Sequence, residues 1–207
     1  MNTANLRSKS GIAADDFVNI NRRSAVLRNL YLCFCMAKLF AGKYRWDTLR
    51  LKNWSYSGVG MYYLTLNTAD RIHYFGEIMN GEMNLSEIGK IAQQEWLRSA
   101  DIRPDMNLFL GEFVVMPDHI HAIIGINENE HNIIQRGQNE LYRNKFAPQS
   151  KNLASVIRGY KSAVTTYAKK NNLPFKWLPR YYESIVETKE SYDRISRYIR
   201  DNPKNWK

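Results

Sequence analysis

Apolar and polar positions alternate most cleanly over His119–Ile126. There Ile120, Ala122 and Ile124 fall on one side of an extended chain, while His119 and His121 fall on the other. This pattern predicts a strand that presents two imidazoles from one face and an apolar surface from the opposite one. Residues 108–116 also read as a strand, and Pro117-Asp118 between the two is a turn signal, so the pair predicts a hairpin. Upstream, residues 61–68 are rich in aromatic and β-branched side chains and predict a further strand. Asn84, with Glu87 three residues later, predicts a helix start, with Ile88, Ile91, Ala92 and Trp96 on the buried face. Helical periodicity runs over Leu153–Lys170, where Leu153, Val156, Ile157, Tyr160, Val164 and Tyr167 cluster on one side. Arg158, Lys161, Thr165 and Lys169 form a second stripe, about a third of a turn away. Residues 175–186 fit a short strand or a loop. A last helix spans about 188–201 and ends at Asn202-Pro203, because the residue before proline is pushed out of helical geometry.

Strands and helices in mixed order, with a tight turn between two strands, predict an α+β sandwich built on an antiparallel sheet. A parallel pair would need a crossover of about a dozen residues, which the Pro117-Asp118 turn cannot supply. The polar stretch 127–151 is expected to be a long loop. Residues 1–55, with a helical pattern over 24–39, read as an N-terminal extension to a domain covering 56–207. The apolar run 25–42 is too short for a membrane span and is broken by Arg28 and Lys38. It also lies too far from the start to be a signal peptide, so no membrane role is expected. Cys33 and Cys35, one residue apart, suit neither a disulfide nor a zinc ligand set, and reduced thiols in the cytoplasm are the simplest reading.

Charge sharpens the picture. The net charge is +10 over 207 residues. Residues 1–135 carry 14 basic and 14 acidic side chains, whereas residues 136–207 carry 16 and 6. All of the excess lies in the last third, as expected of a surface that meets a polyanion, nucleic acid before an anionic membrane.

Two imidazoles on one strand face make half of a site for a divalent metal and need a further ligand to complete it. The last helix offers Asn202, whose amide oxygen suits Mg²⁺ or Mn²⁺, and Tyr198 four residues earlier on the same helical face. A phenol beside a metal that polarises a phosphodiester has the parts for covalent phosphoryl transfer. Against this stands simple packing, since the chain has 13 tyrosines, Tyr198 adjoins Ile195 and Ile199, and Asn before Pro is a common helix end. The alternating histidines do not make a histidine triad, because the next position on that face is Ile123 and the following histidine, His131, lies beyond the strand.

The histidine pair followed by a tyrosine on a later helix resembles the HUH single-tyrosine transposases, and more closely the REP-associated branch with its insertion-sequence relatives. The segments that carry the likeness run in order: Gly60-Met61-Tyr62-Tyr63-Leu64-Thr65, Phe75-Gly76-Glu77, 114–124, Pro148 to Leu153 leading into Arg158-Gly159-Tyr160-Lys161-Ser162, then Trp177 to Tyr182, and Tyr198-Ile199-Arg200-Asp201-Asn202-Pro203. They cover about residues 55–207. The resemblance implies a ferredoxin-like sandwich of an antiparallel sheet flanked by helices. His119, His121 and Asn202 would bind Mg²⁺ or Mn²⁺. Tyr198 would attack single-stranded DNA and form a 5′-phosphotyrosine link, with the bond energy conserved and no nucleotide cofactor. The substrate would be hairpin DNA with a single-stranded flank. Phosphates would meet Arg158, Lys161 and Arg180, while Tyr181, Tyr182 or Trp177 would stack on bases. Where the family commonly has an acid and then a histidine after the paired tyrosines, this chain has Glu183 and Ser184. The resemblance is compatible with one chain forming the site or with a homodimer that shares it. A catalytically silent DNA- or RNA-binding relative, and a nuclease that uses water, are the alternative readings.

Overall fold

A computed structural model describes residues 54–136 and 150–206 together with the short segments 39–40 and 44–45. The helix expected over 24–39, both cysteines and the middle of the loop expected at 127–151 lie outside the described residues, apart from Leu39. The chain divides into two compact units, residues 1–48 with 187–189 and residues 49–186 with 190–207. Of the first, an antiparallel ribbon is described, β1 (Leu39–Phe40) paired with β2 (Tyr44–Arg45).

The second unit is built on β3 (Gly60–Asn67), β6 (Leu108–Val115), β7 (His119–Ile126) and β8 (Tyr182–Ile185), in the sheet order β6-β7-β3-β8. Every neighbouring pair is antiparallel. Helix α1 (Glu87–Leu97) connects β3 to β6, and α3 (Leu153–Lys170) connects β7 to β8. The chain thus runs β-α-β-β-α-β with each helix crossing over a strand, the split arrangement of a ferredoxin-like sandwich. The expected fold class is the one observed.

Both helices pack on one face of the sheet. Tyr62, Leu64 and Leu66 of β3 and Ile120, Ala122, Ile124 and Ile126 of β7 meet Ile88, Ala92 and Trp96 of α1 and Val156, Ile157, Tyr160 and Val164 of α3 in a single core. Trp96 stacks on Phe113 and meets Tyr160 edge-on, and the Tyr160 hydroxyl donates to the Ala92 carbonyl at 2.9 Å, which satisfies that polar tip. The opposite face is covered too. Every residue of β7 is buried, including His119, His121 and Ile123, because α4 (Lys189–Asp201) crosses that side. The alternation in β7 therefore separates two buried layers, one apolar and one chemical, rather than core from solvent.

Three local expectations change. The N-cap of α1 is Ser86, whose Oγ accepts from Gly89 N, because Asn84 belongs to β5 (Glu82–Leu85). That strand pairs with β4 (Gly76–Met79) through Asn80-Gly81, both at positive φ, the geometry that favours Asn-Gly in a two-residue hairpin. The loop after β7 contains α2 (Glu130–Arg136). The last helix ends at Asp201, as expected, but Asn202 is not pushed out of helical geometry: it holds φ −56° and ψ −45°, and Pro203 opens a 3-10 turn in which its missing N–H is not needed.

Candidate active site

The register of β3 against β7 builds the site. Thr65 lies opposite His121 and Asn67 opposite His119, so Tyr63, Thr65 and Asn67 share the histidine face. Tyr63 Oη lies 2.8 Å and Thr65 Oγ1 3.0 Å from His121 Nδ1. Behind His119, Asp118 Oδ1 stands 2.6 Å from Nδ1, and the second oxygen of the same carboxylate takes Arg71 Nε at 2.8 Å. Both Nδ1 atoms are thus tied back, and the two Nε2 atoms face each other at 3.1 Å.

These partners assign the protons. A carboxylate acceptor puts a hydrogen on Nδ1 of His119, leaving its Nε2 as an acceptor. His121 then donates from Nε2, and its Nδ1 accepts from a hydroxyl. Tyr63 and Thr65 can also accept, so His121 can move its proton to Nδ1 and keep that nitrogen bonded. In that second tautomer two lone pairs oppose each other, an arrangement that a cation between them relieves. The donor set therefore fits a divalent ion with two imidazole ligands. Among the described residues, no third His, Cys, Asp or Glu joins the pair.

Electrostatics keep both rings neutral. Burial pushes the His119 pKa down, against the pull of Asp118. Burial, then the neighbouring His119, pushes His121 down to about 3. A base whose folded pKa lies below its unfolded value of 6.5 binds its proton more weakly in the native state, so its stabilising effect is complete above pH 6.5 and lost as pH falls toward 3. Metal-free protein is expected to show a melting temperature that drops over this window, and the drop should shrink in His121→Gln. Equal pH profiles for the two proteins would refute the assignment.

Helix α4 brings the tyrosine. Tyr198 Oη lies 3.3 Å from His121 Nε2, with the rings 5.2 Å apart and Tyr63 meeting Tyr198 edge-on at 6.4 Å. Its side chain is still 53% exposed. The phenol of Tyr63, by contrast, has its pKa raised by burial and then by the nearby Tyr198 and Tyr182, against the pull of its Thr65 bond, and stays protonated. The helix is fastened to the sheet by Arg200, which pairs at 2.8 Å with Glu112. Glu112 lies in the register shift between Leu110 and Phe113, a bulge with one extra residue on this strand. Ile199 is buried beneath the helix.

Of the residues singled out in the sequence, His119, His121 and Tyr198 come together. Asn202 is half-buried one turn beyond Tyr198, and helical geometry persists through it, so the two side chains share a face. Among the described residues its amide bonds neither imidazole. Arg158, Lys161 and Arg180 also converge, on a cleft of about 430 Å³ between α3 and residues 177–180, with Ser162, Thr166 and Lys169. Lys161 differs from expectation. Its ammonium is spent on the carbonyls of Leu178, at 2.8 Å, and Arg180, at 2.6 Å, and burial lowers its pKa to about 8. Of the three aromatic residues expected to stack on bases, Trp177 and Tyr181 pack against the core, while Tyr182 is 48% exposed. Asp118, Tyr63, Thr65 and Arg71 were not singled out. Their signal was period-2 spacing on β3 and adjacency to His119, which acquire meaning once the register is known. Trp206, whose ring lies 5.8 Å from those of His119 and His73, closes the rear of the site.

No family model matches the chain. An uncharacterised protein of Haemophilus influenzae is 34% identical over 176 residues, covering 82% of this chain and 94% of the relative. Among solved structures, a REP-associated tyrosine transposase bound to a REP hairpin superposes with a TM-score of 0.51 at 18% identity, over 77% of this chain and 73% of the other. At that identity the likeness speaks for the fold, which is that of the HUH tyrosine transposases.

Proposed function

Because the chain belongs to the same family as the uncharacterised Haemophilus influenzae protein and has a tyrosine-transposase fold, we propose that it is a divalent-metal-dependent transposase that cuts and rejoins single-stranded DNA at hairpins. The observation that carries the proposal is that Tyr198 Oη lies 3.3 Å from His121 Nε2, which in turn lies 3.1 Å from His119 Nε2. His119, His121 and Asn202 would hold Mg²⁺ or Mn²⁺, which would supply Lewis acidity at a phosphate oxygen. Asp118 and the Tyr63 and Thr65 hydroxyls fix the two neutral imidazoles, so that their Nε2 atoms face the same point.

Tyr198 is the nucleophile. Its oxygen forms a bond to phosphorus, the bond to the departing 3′-oxygen breaks, and the phenolic proton passes to water at the exposed side of the ring while the 3′-oxygen gains one. The product is a 5′-phosphotyrosine, and attack by a 3′-hydroxyl reverses it without ATP. Arg158 and Arg180 contact phosphates, and Lys161 shapes the loop that carries Arg180.

The test is to incubate the protein with Mn²⁺ and a DNA hairpin carrying a single-stranded flank, then denature. A covalent complex whose DNA lies on the 3′ side of the break, attached to the peptide containing Tyr198, is the expected result. Free 5′-phosphate ends without an adduct would replace it by a water-using nuclease, and binding without cleavage by a silent binder.

A further inference from the structure

The sheet edge beside the site is irregular in a way the chemistry at Tyr198 does not use. Trp177 bridges Thr68, and Leu178 N donates to Asn67 O at 2.9 Å; pairing with β3 resumes only at Tyr182, opposite Thr65. Residues 179–181 therefore bulge out from the edge at the level of the histidine row. Arg180 sits in this bulge at φ +67°, a left-handed conformation that non-glycine residues rarely adopt. Lys161 holds it there, with its ammonium on the Leu178 and Arg180 carbonyls and 5.2 Å from the centre of the Trp177 ring. A half-buried lysine thus secures a strained loop whose outward group is a guanidinium.

The bulge lies between two faces. On the histidine side, Tyr182 is exposed and meets Tyr63 edge-on at 6.2 Å, and Tyr63 in turn meets Tyr198. On the α3 side, Arg158, Ser162, Thr166 and Lys169 line the cleft together with Arg180. The histidine strand and the edge strand are two strand spacings apart, about 10 Å. A chain leaving Tyr198 can reach the edge within a few nucleotides.

We infer that the 178–182 bulge guides single-stranded DNA around the sheet edge, from Tyr198 across Tyr182 as a base-stacking platform and past Arg180 into the α3 cleft. The inference rests on the function proposed above and adds the route of the single-stranded flank. Cations and hydroxyls along the cleft suit a phosphate backbone, and one exposed aromatic ring suits an unstacked base of any sequence. Lys161 is a positioning residue on this route, and Tyr182 and Arg180 are contact residues.

The test is fluorescence anisotropy with two labelled DNAs, a hairpin with a single-stranded flank and the same hairpin without it, over a range of salt and without metal. Arg158→Gln combined with Arg180→Gln is expected to flatten the log Kd against log salt slope for the flanked hairpin by about 1.4, two single-strand phosphate contacts. Tyr182→Ala is expected to weaken the same DNA about tenfold. The flankless hairpin should respond to neither change, and Arg98→Gln, on α1's far end, should leave both DNAs unaffected. A flanked hairpin carrying 5-bromodeoxyuridine in the flank should photocrosslink to the Tyr182 peptide. An unchanged salt slope, or an equal loss for the flankless hairpin, overturns the route, the latter by placing duplex in the cleft. No cleavage is scored, so a failed route leaves the Tyr198 chemistry standing, and a protein that never forms an adduct can still show the route.

Discussion

Tyr198→Phe is expected to lower formation of the denaturation-resistant DNA complex to background, a loss on the order of a thousandfold or more, since no other group replaces a missing nucleophile. Binding of the same hairpin should change by less than about twofold. The reason for the split is geometric. Phenylalanine keeps the ring that meets His121 at 5.2 Å and Tyr63 at 6.4 Å, and Ile199 still anchors the helix, so the substitution removes one oxygen and no packing. A gel of the denatured reaction and an anisotropy titration measure the two quantities. An adduct that persists in the variant would move the nucleophile elsewhere. Tyr182, exposed and edge-on to Tyr63, is then the first candidate, whereas Tyr160 is buried with its hydroxyl bonded to Ala92.

Asp118→Asn is expected to weaken Mn²⁺ binding 10- to 100-fold, as about that much is lost when the partner behind a ligating histidine is changed. Asp118 is buried and shared between His119 Nδ1 and Arg71 Nε, while the Arg71 side chain is 64% exposed. An amide in its place can present its NH₂ to His119, which would favour the tautomer with the hydrogen on Nε2 and turn a lone pair away from the ion. It also removes the negative charge that makes His119 a better donor. The amide oxygen then faces Arg71 Nε and can still accept from it, so Arg71 loses a charge partner rather than a hydrogen bond, and stability should fall by only about 1–3 kcal/mol, mainly from the weakened buried bond to His119. Free Mn²⁺ counted by electron paramagnetic resonance, on protein without DNA, separates this from any effect on cleavage. Affinity within twofold of the parent would show that Asp118 is a turn residue and nothing more.

How far the sequence reached can be judged from particular residues. The hairpin of β6 and β7 was legible because a turn signal separates two apolar runs and because side chains alternate with period 2. The helix Leu153–Lys170 was legible to the residue, since its periodic stripe is bounded by Asn152, which caps it together with Ser155. Asn84 misled because the Asn-x-x-Glu spacing is a capping signal in a helix and carries none in a strand. The groups behind the two imidazoles were illegible for a different reason. Tyr63 and Thr65 lie more than 50 positions from His121, and only cross-strand register brings them to it. Lys161 shows the limit of charge as a guide: its place on a basic stripe was read correctly, but two backbone carbonyls had claimed its ammonium. Asn202 shows the converse, since a rule about prolines argued against the geometry that the start of a new 3-10 turn restored.

The indole of Trp206 beside His119 has a practical consequence. A paramagnetic ion held by that imidazole would quench the emission of a fluorophore so close, which makes the protein its own optical indicator of occupancy. Trp206→Phe supplies the blank against the chain's other four tryptophans, and loading could then be followed during a turnover without any dye or label.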